Sequence, residues 1–76
     1  MAAPERIVDA RGLLCPLPLL RLDRALRGEP AGTGAVLLTT DAAAEGDVRT
    51  WCGAAGHVLV GVERDGDVLS LRVRKA

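Results

Sequence analysis

The chain has 76 residues, 49% of them hydrophobic, which is room for one domain (1–76) with a compact core and excludes a disordered chain. Ten basic and ten acidic residues cancel, and one tryptophan with no tyrosine or phenylalanine leaves an aliphatic interior, so the basic surface and stacking aromatics of a nucleic-acid binder are missing. Two cysteines are too few for the disulfide framework of a small secreted scaffold, which points to a reducing, cytoplasmic setting, and the sequence shows neither the apolar run of a signal peptide nor the roughly 18 apolar residues of a membrane helix.

Taken in order, Met1 to Glu5 read as a frayed start and Arg6-Ile7-Val8-Asp9-Ala10 as a short strand. Gly12-Leu13-Leu14-Cys15-Pro16-Leu17-Pro18 then turns the chain into a helix. In it Leu19, Leu22 and Leu26 recur at helical spacing, with Arg21, Asp23, Arg24 and Arg27 between them. Cys15 falls where an N-cap residue stands, and Pro16 takes the first helical position, where a missing N–H costs nothing. Pro18 pulls against this by disfavouring helical geometry at Leu17, so the alternative start is Pro18, with Cys15 a few residues ahead of the axis. Gly28 and Pro30 end the helix.

Residues 35–40 are a nearly continuous apolar run, the mark of a strand buried on both faces or central in a sheet. Residues 41–46 fit a loop or an early helical turn. From Asp47, a good N-cap, Val48, Trp51, Cys52 and Ala55 repeat at the spacing of a second short helix, which Gly56 closes. Residues 58–64 and 68–74 read as strands joined by Asp65-Gly66-Asp67, and Asp-Gly between two such runs is a strong hairpin signal, so these strands should be antiparallel neighbours. The order is therefore β-α-β-α-β-β, and its simplest packing is an α+β two-layer sandwich: two helices on one face of a four-stranded mixed sheet.

The chemistry concentrates at Cys15. A thiol at the start of a helix faces unpaired backbone N–H groups and the positive end of the helix dipole, which favours the nucleophilic thiolate. The bland alternative, a small apolar core residue, suits Cys52 better, since that residue lies on the apolar stripe of the second helix. A resolving role for Cys52 would need the two sulfurs within disulfide geometry. Gly12 supplies a backbone conformation that side chains disfavour in the strand-to-helix turn. Arg11 admits two readings, stabiliser of a sulfur anion or solvated surface charge. The stripe Arg21, Arg24 and Arg27 is either an ordinary solvated face or a docking strip for acidic partners. Leu13, Leu14 and Leu17 are either loop anchors or an apolar docking rim. His57 as a general base would need proximity to Cys15. Two cysteines and one histidine without a close pair do not make a metal site. Trp51 reads as the large piece of the core.

Cys15-Pro16-Leu17-Pro18, preceded by Asp9-Ala10-Arg11-Gly12-Leu13, resembles the Cys-Pro-x-Pro signature of the small sulfur-carrier proteins of the TusA (SirA-like) family. Asp47 four residues before Trp51-Cys52, Gly56-His57-Val58-Leu59 at the start of a strand, and the closing Arg72-Val73-Arg74-Lys75 extend the resemblance over nearly the whole chain. Two positions depart from it: Asp41-Ala42 stands where many members carry Asp-Pro, and Leu17 fills the variable place between the prolines. The resemblance implies the same two-layer fold and a sulfur relay, in which Cys15 accepts sulfane sulfur as a persulfide and yields it to an acceptor thiol. Pro16, Pro18, Gly12 and Arg11 would support that site. No cofactor is implied. The partners are protein sulfur donors, a cysteine desulfurase or a rhodanese, and protein acceptors in tRNA thiolation, cofactor assembly or sulfur oxidation. A monomer that exposes its thiol suits the task, as a carrier more than a stand-alone enzyme. The other class of function the sequence allows is a non-catalytic interaction module acting through its basic helix or apolar rim.

Overall fold

The computed structural model describes residues 5–76, so the expected frayed start falls, except for Glu5, outside the described residues. Six elements follow in the order β1 (Arg6–Ala10), α1 (Leu17–Leu26), β2 (Gly34–Thr39), α2 (Ala44–Ala55), β3 (Val58–Asp65) and β4 (Val68–Arg74). The strands form one mixed sheet in the spatial order β1-β2-β4-β3. Parallel pairing of β1 with β2 needs a long crossover, and α1 with its flanking loops supplies it. The pairings of β2 with β4 and of β3 with β4 are antiparallel. Gly66, at φ +62°, makes the tight turn of the β3–β4 hairpin expected from Asp-Gly.

Alternation along the strands decides which face the helices cover. The register sets Val8 beside Leu37 and Leu37 beside Leu71, and Ala10, Ala35 and Val73 share that face. These residues form one buried cluster with Leu22 and Leu26 of α1 and Val48 and Cys52 of α2. Both helices therefore lie on one side of the sheet, and the α+β two-layer sandwich is the observed fold. Each fully buried leucine contributes about 1.5–3 kcal/mol of apolar transfer to holding the layers together. Between the buried positions, Ile7, Asp9, Ser70 and Arg72 point to the uncovered face, and Ile7 is exposed. The apolar run of β2 belongs to a strand paired on both sides, which explains why it lacks alternation.

Both helix starts differ from expectation. The cap of α1 is Pro16, and the first helical residues are Leu17 and Pro18, so Cys15 lies one residue outside the cap. The first α-helical bond runs from the Leu20 N–H to the Pro16 carbonyl, at 3.1 Å. Pro18 is accommodated because its missing N–H would have been unpaired in the first turn in any case, and its ring is buried instead. The second helix begins at Ala44, before Asp47, with Ala43 as its cap residue, and Asp41 folds the turn that leads into it: its Oδ1 accepts the Ala43 N–H at 3.0 Å and its carbonyl accepts the Ala44 N–H at 3.0 Å. Asp47 thereby becomes a first-turn acidic residue, where the helix dipole favours its charge. The C-terminus of α2 is as expected, with Gly56 at φ +80° and its N–H donating to the Cys52 carbonyl at 2.9 Å.

Candidate functional site

The loop between β1 and α1 is folded by two tight backbone bonds, Leu13 N–H to the Ala10 carbonyl at 3.2 Å and Leu17 N–H to the Leu14 carbonyl at 2.9 Å. Gly12 sits at φ +80°, a left-handed conformation that a residue with a Cβ adopts only at a cost, and its N–H donates to Thr40 Oγ1 at 2.9 Å. Cys15 is exposed at the end of this loop, and its peptide bond to Pro16 is cis. Its N–H donates to Asp41 Oδ2 at 2.6 Å, and its thiol donates to Asp47 Oδ2. Three residues around the β2–α2 junction, Thr40, Asp41 and Asp47, thus hold the cysteine loop from across the sheet edge.

Cys15 and Asp47, with Pro16, Leu19, Thr50, Trp51 and Ala54, line an open hollow of 380 Å³. Trp51 is half-buried: it packs on the core cluster and also forms one wall of the hollow. Its ring stacks at a tilt on His57, with centroids 4.7 Å apart. His57 accepts the Ala76 N–H on Nδ1 at 3.0 Å and does not line the hollow, so it is engaged with the end of the chain and not with Cys15.

The electrostatics of the thiol correct the expectation of a helix-stabilised thiolate. Its hydrogen bond to the Asp47 carboxylate, then its partial desolvation, then the negative charges of Asp47 and Asp41 push the Cys15 thiol above its ordinary 9.0. The cause lies in the cap: with α1 starting at Leu17, the free N–H groups of its first turn lie beyond Cys15, and the nearest charges are two carboxylates. Arg11 does not offset them. It grips Asp9 through two charge-assisted bonds of 2.9 and 2.8 Å, which hold the Asp9 carboxyl down to about 2.

Cys52 is in the core, 4% exposed and unbonded to Cys15, and burial pushes its thiol up as well. Of the arginine stripe, Arg27 pairs with Asp23, whereas Arg21 and Arg24 stand with Leu17 and Leu20 around a second, smaller depression. Leu13 packs against the core cluster, so it anchors the loop, while Leu14 is 73% exposed. Among the described residues no group of three or more His, Cys, Asp or Glu side chains could hold a metal ion, and no helix is long and apolar enough to cross a membrane. Sequence reasoning missed the approach of Asp41 and Asp47 to Cys15. Both stand at helix starts, where a polar residue is explained by capping alone, and no local spacing signals a contact across 32 positions.

The family model described as "Sulfurtransferase TusA" matches residues 6–75. Among similar proteins, the "Sulfur carrier protein TusA" of Pseudomonas putida (strain F1) is 32% identical over 72 residues, covering 95% of this chain and 90% of its own length. YrkI of Bacillus subtilis (strain 168) is 31% identical over 71 residues, covering 93% and 95%. The crystal structure of a SirA-like protein from Desulfitobacterium hafniense superimposes with a TM-score of 0.78 at 26% identity, over 90% of this chain and 93% of that one. A match that runs from the first strand to the end of the last, over the same two-layer fold, means that the chain belongs to the TusA sulfurtransferase family of sulfur carriers.

Proposed function

We propose that Cys15 is the sulfur-bearing residue, taking sulfane sulfur from a protein persulfide and passing it to a protein thiol. The observation that carries this reading is the contrast between the two thiols: Cys15 is exposed and lines an open hollow, and Cys52 is enclosed in the core. In the loading step Cys15 Sγ loses its proton and attacks the outer sulfur of the donor persulfide. The donor's S–S bond breaks, and the donor leaves as a thiolate that takes up the proton. The products are Cys15–S–SH and the donor thiol. One sulfur atom moves at unchanged total oxidation state, so no oxidant, metal or cofactor enters the balance. Delivery is the same exchange run against an acceptor thiolate, with rates set by thiolate fraction and access.

Gly12 in its left-handed conformation and the buried Pro18 shape the loop that presents the thiol. Donors of the cysteine desulfurase or rhodanese kind would approach over the exposed Leu14, Leu17 and Leu20, with Arg21 and Arg24 beside them as complements to acidic groups. Two unbonded thiols suit a reducing compartment such as the cytoplasm, and a single-domain monomer leaves the hollow open.

The test is intact-protein mass spectrometry after incubation with a cysteine desulfurase and cysteine, or with a rhodanese and thiosulfate. Wild type and Cys52→Ser should each gain one sulfur atom that a reductant removes, and Cys15→Ser should gain none. If no donor loads the wild-type protein while Cys15 alkylates readily, the protein is instead a non-catalytic interaction module.

A further inference from the structure

The resting hydrogen bond between Cys15 and Asp47 cannot survive loading. In the empty carrier Sγ bears the proton that Asp47 Oδ2 accepts. In Cys15–S–SH that sulfur is bonded to Cβ and to the outer sulfur and has no hydrogen left, so it turns from donor to acceptor opposite a carboxylate that can only accept. The outer S–H is more acidic than a thiol, because the resulting charge spreads onto two polarisable sulfurs, so the loaded group is an anion near neutral pH. The hollow beside it is lined by Pro16, Leu19, Thr50, Trp51 and Ala54, and among the described residues no side-chain N–H or O–H donates to the Cys15 sulfur. The charged groups acting on Cys15 are Asp47 from α2 and Asp41 from the β2–α2 loop, both negative. Arg11, in the same loop as Cys15, is bound to Asp9. Asp41 is fixed in place by the Cys15 and Ala43 N–H groups, and Asp47 is held in the first turn of α2.

We propose that Asp47, backed by Asp41, is a discharge residue: it holds the empty carrier as a hydrogen-bonded neutral thiol and destabilises the loaded persulfide anion, so that sulfur is given up readily to the acceptor. This deepens the reading that Cys15 carries sulfur and rests on it. An empty carrier in the neutral form is also sheltered from stray electrophiles, because only the thiolate attacks them. Asp47 touches the reacting sulfur directly, so its action is on the equilibrium of the exchange and not only on the shape of the loop.

The experiment measures how sulfane sulfur partitions between Cys15 and glutathione, starting from glutathione persulfide, with the loaded fraction read by intact mass. Asp47→Asn keeps the side chain's shape and one acceptor oxygen and removes the charge. It should hold several-fold more sulfur than wild type at equal glutathione and release it more slowly. The pH profile of Cys15 alkylation by iodoacetamide should move to lower pH in the same variant. Asp47→Ser, a second neutral variant, should shift both readouts in the same direction, and circular dichroism checks that each variant is folded. A partition equal to wild type's, or displaced toward the empty carrier, overturns the role of Asp47 while leaving Cys15 as carrier. Failure of wild type itself to load from glutathione persulfide and from every protein donor overturns the carrier reading instead.

Discussion

At the scale of single residues, the loop of Cys15 is a place where charges have been sorted. Arg11 precedes the thiol by four positions, close enough in sequence to suggest an anion stabiliser, yet its guanidinium is committed to Asp9 in a fork of two parallel bonds. The pair is solvent-exposed, so its contribution to stability is small and screened by salt. Its signature is in titration. The Asp9 carboxyl is held down to about 2 from the ordinary 3.8, first by the side-chain bonds of Arg11 and then by the Arg11 backbone N–H. A carboxyl whose folded-state value is depressed stabilises the fold above its ordinary value, and that contribution disappears as pH falls from 3.8 toward 2. Carboxyl-detected NMR should therefore find Asp9 titrating at about 2, and in Arg11→Ala the midpoint should return toward the ordinary range with the Cys15 alkylation profile unmoved. Movement of the Cys15 profile in that variant would mean that Arg11 acts on the sulfur after all.

Elements were legible where period and punctuation agreed. Each strand falls within a residue of the bounds expected from the sequence, because short apolar, β-branched runs are set off by turn residues, the Asp-Gly turn between β3 and β4 among them. The helix starts were less legible, for a physical reason: two residues competed for each cap. At α1 the Cys-Pro pair and Pro18 both claimed the start, and the helix begins at Leu17 with Pro16 as the cap. At α2 Asp47 matched the usual N-cap type, but Asp41, six residues earlier, had free backbone donors to satisfy and a run of alanines to extend the helix back to it. The helix end at Gly56 had no such rival. Its φ of +80° is in the left-handed region, and a Cβ there would meet only Ala76 Cβ at 3.8 Å, ordinary contact distance. Gly56→Ala therefore carries the backbone penalty with no clash, about 1–2 kcal/mol. Thermal unfolding should show a Tm lower by roughly 4–8 °C per kcal/mol for a domain of this size. An unchanged Tm would mean that the last turn of α2 rearranges without loss.

For the molecule as a whole, the question is how a thin core supports an exposed reactive loop. The site is held by Thr40, Asp41 and Asp47 reaching across from the β2–α2 junction, so its geometry depends on β2 and α2 keeping their places. The centre of that arrangement is Leu37, fully buried in β2, one of the two interior strands, with Val8 on one side and Leu71 on the other. The interior place of β2 was legible in its apolar run, and the two-layer packing in the order of elements, but which strands flank β2 was not, since that pairing is a choice among topologies that share the same periodicity. Leu37→Ala leaves a cavity among residues too tightly registered to collapse into it, and should cost about 2–5 kcal/mol. Small domains have only about 5–15 kcal/mol in hand, so the variant should remain folded but open far more often. The two thiols report this separately. In the native protein iodoacetamide should label Cys15 alone, and Cys52, 4% exposed, only through opening. In Leu37→Ala the labelling of Cys52 should accelerate at least tenfold for each 1.4 kcal/mol lost, if exchange follows global unfolding. Cys15 should label at close to its wild-type rate, because it is already exposed in the folded state. Equal acceleration at both cysteines would place the weak point in the loop, and no acceleration at Cys52 would mean that the sheet closes over the missing side chain.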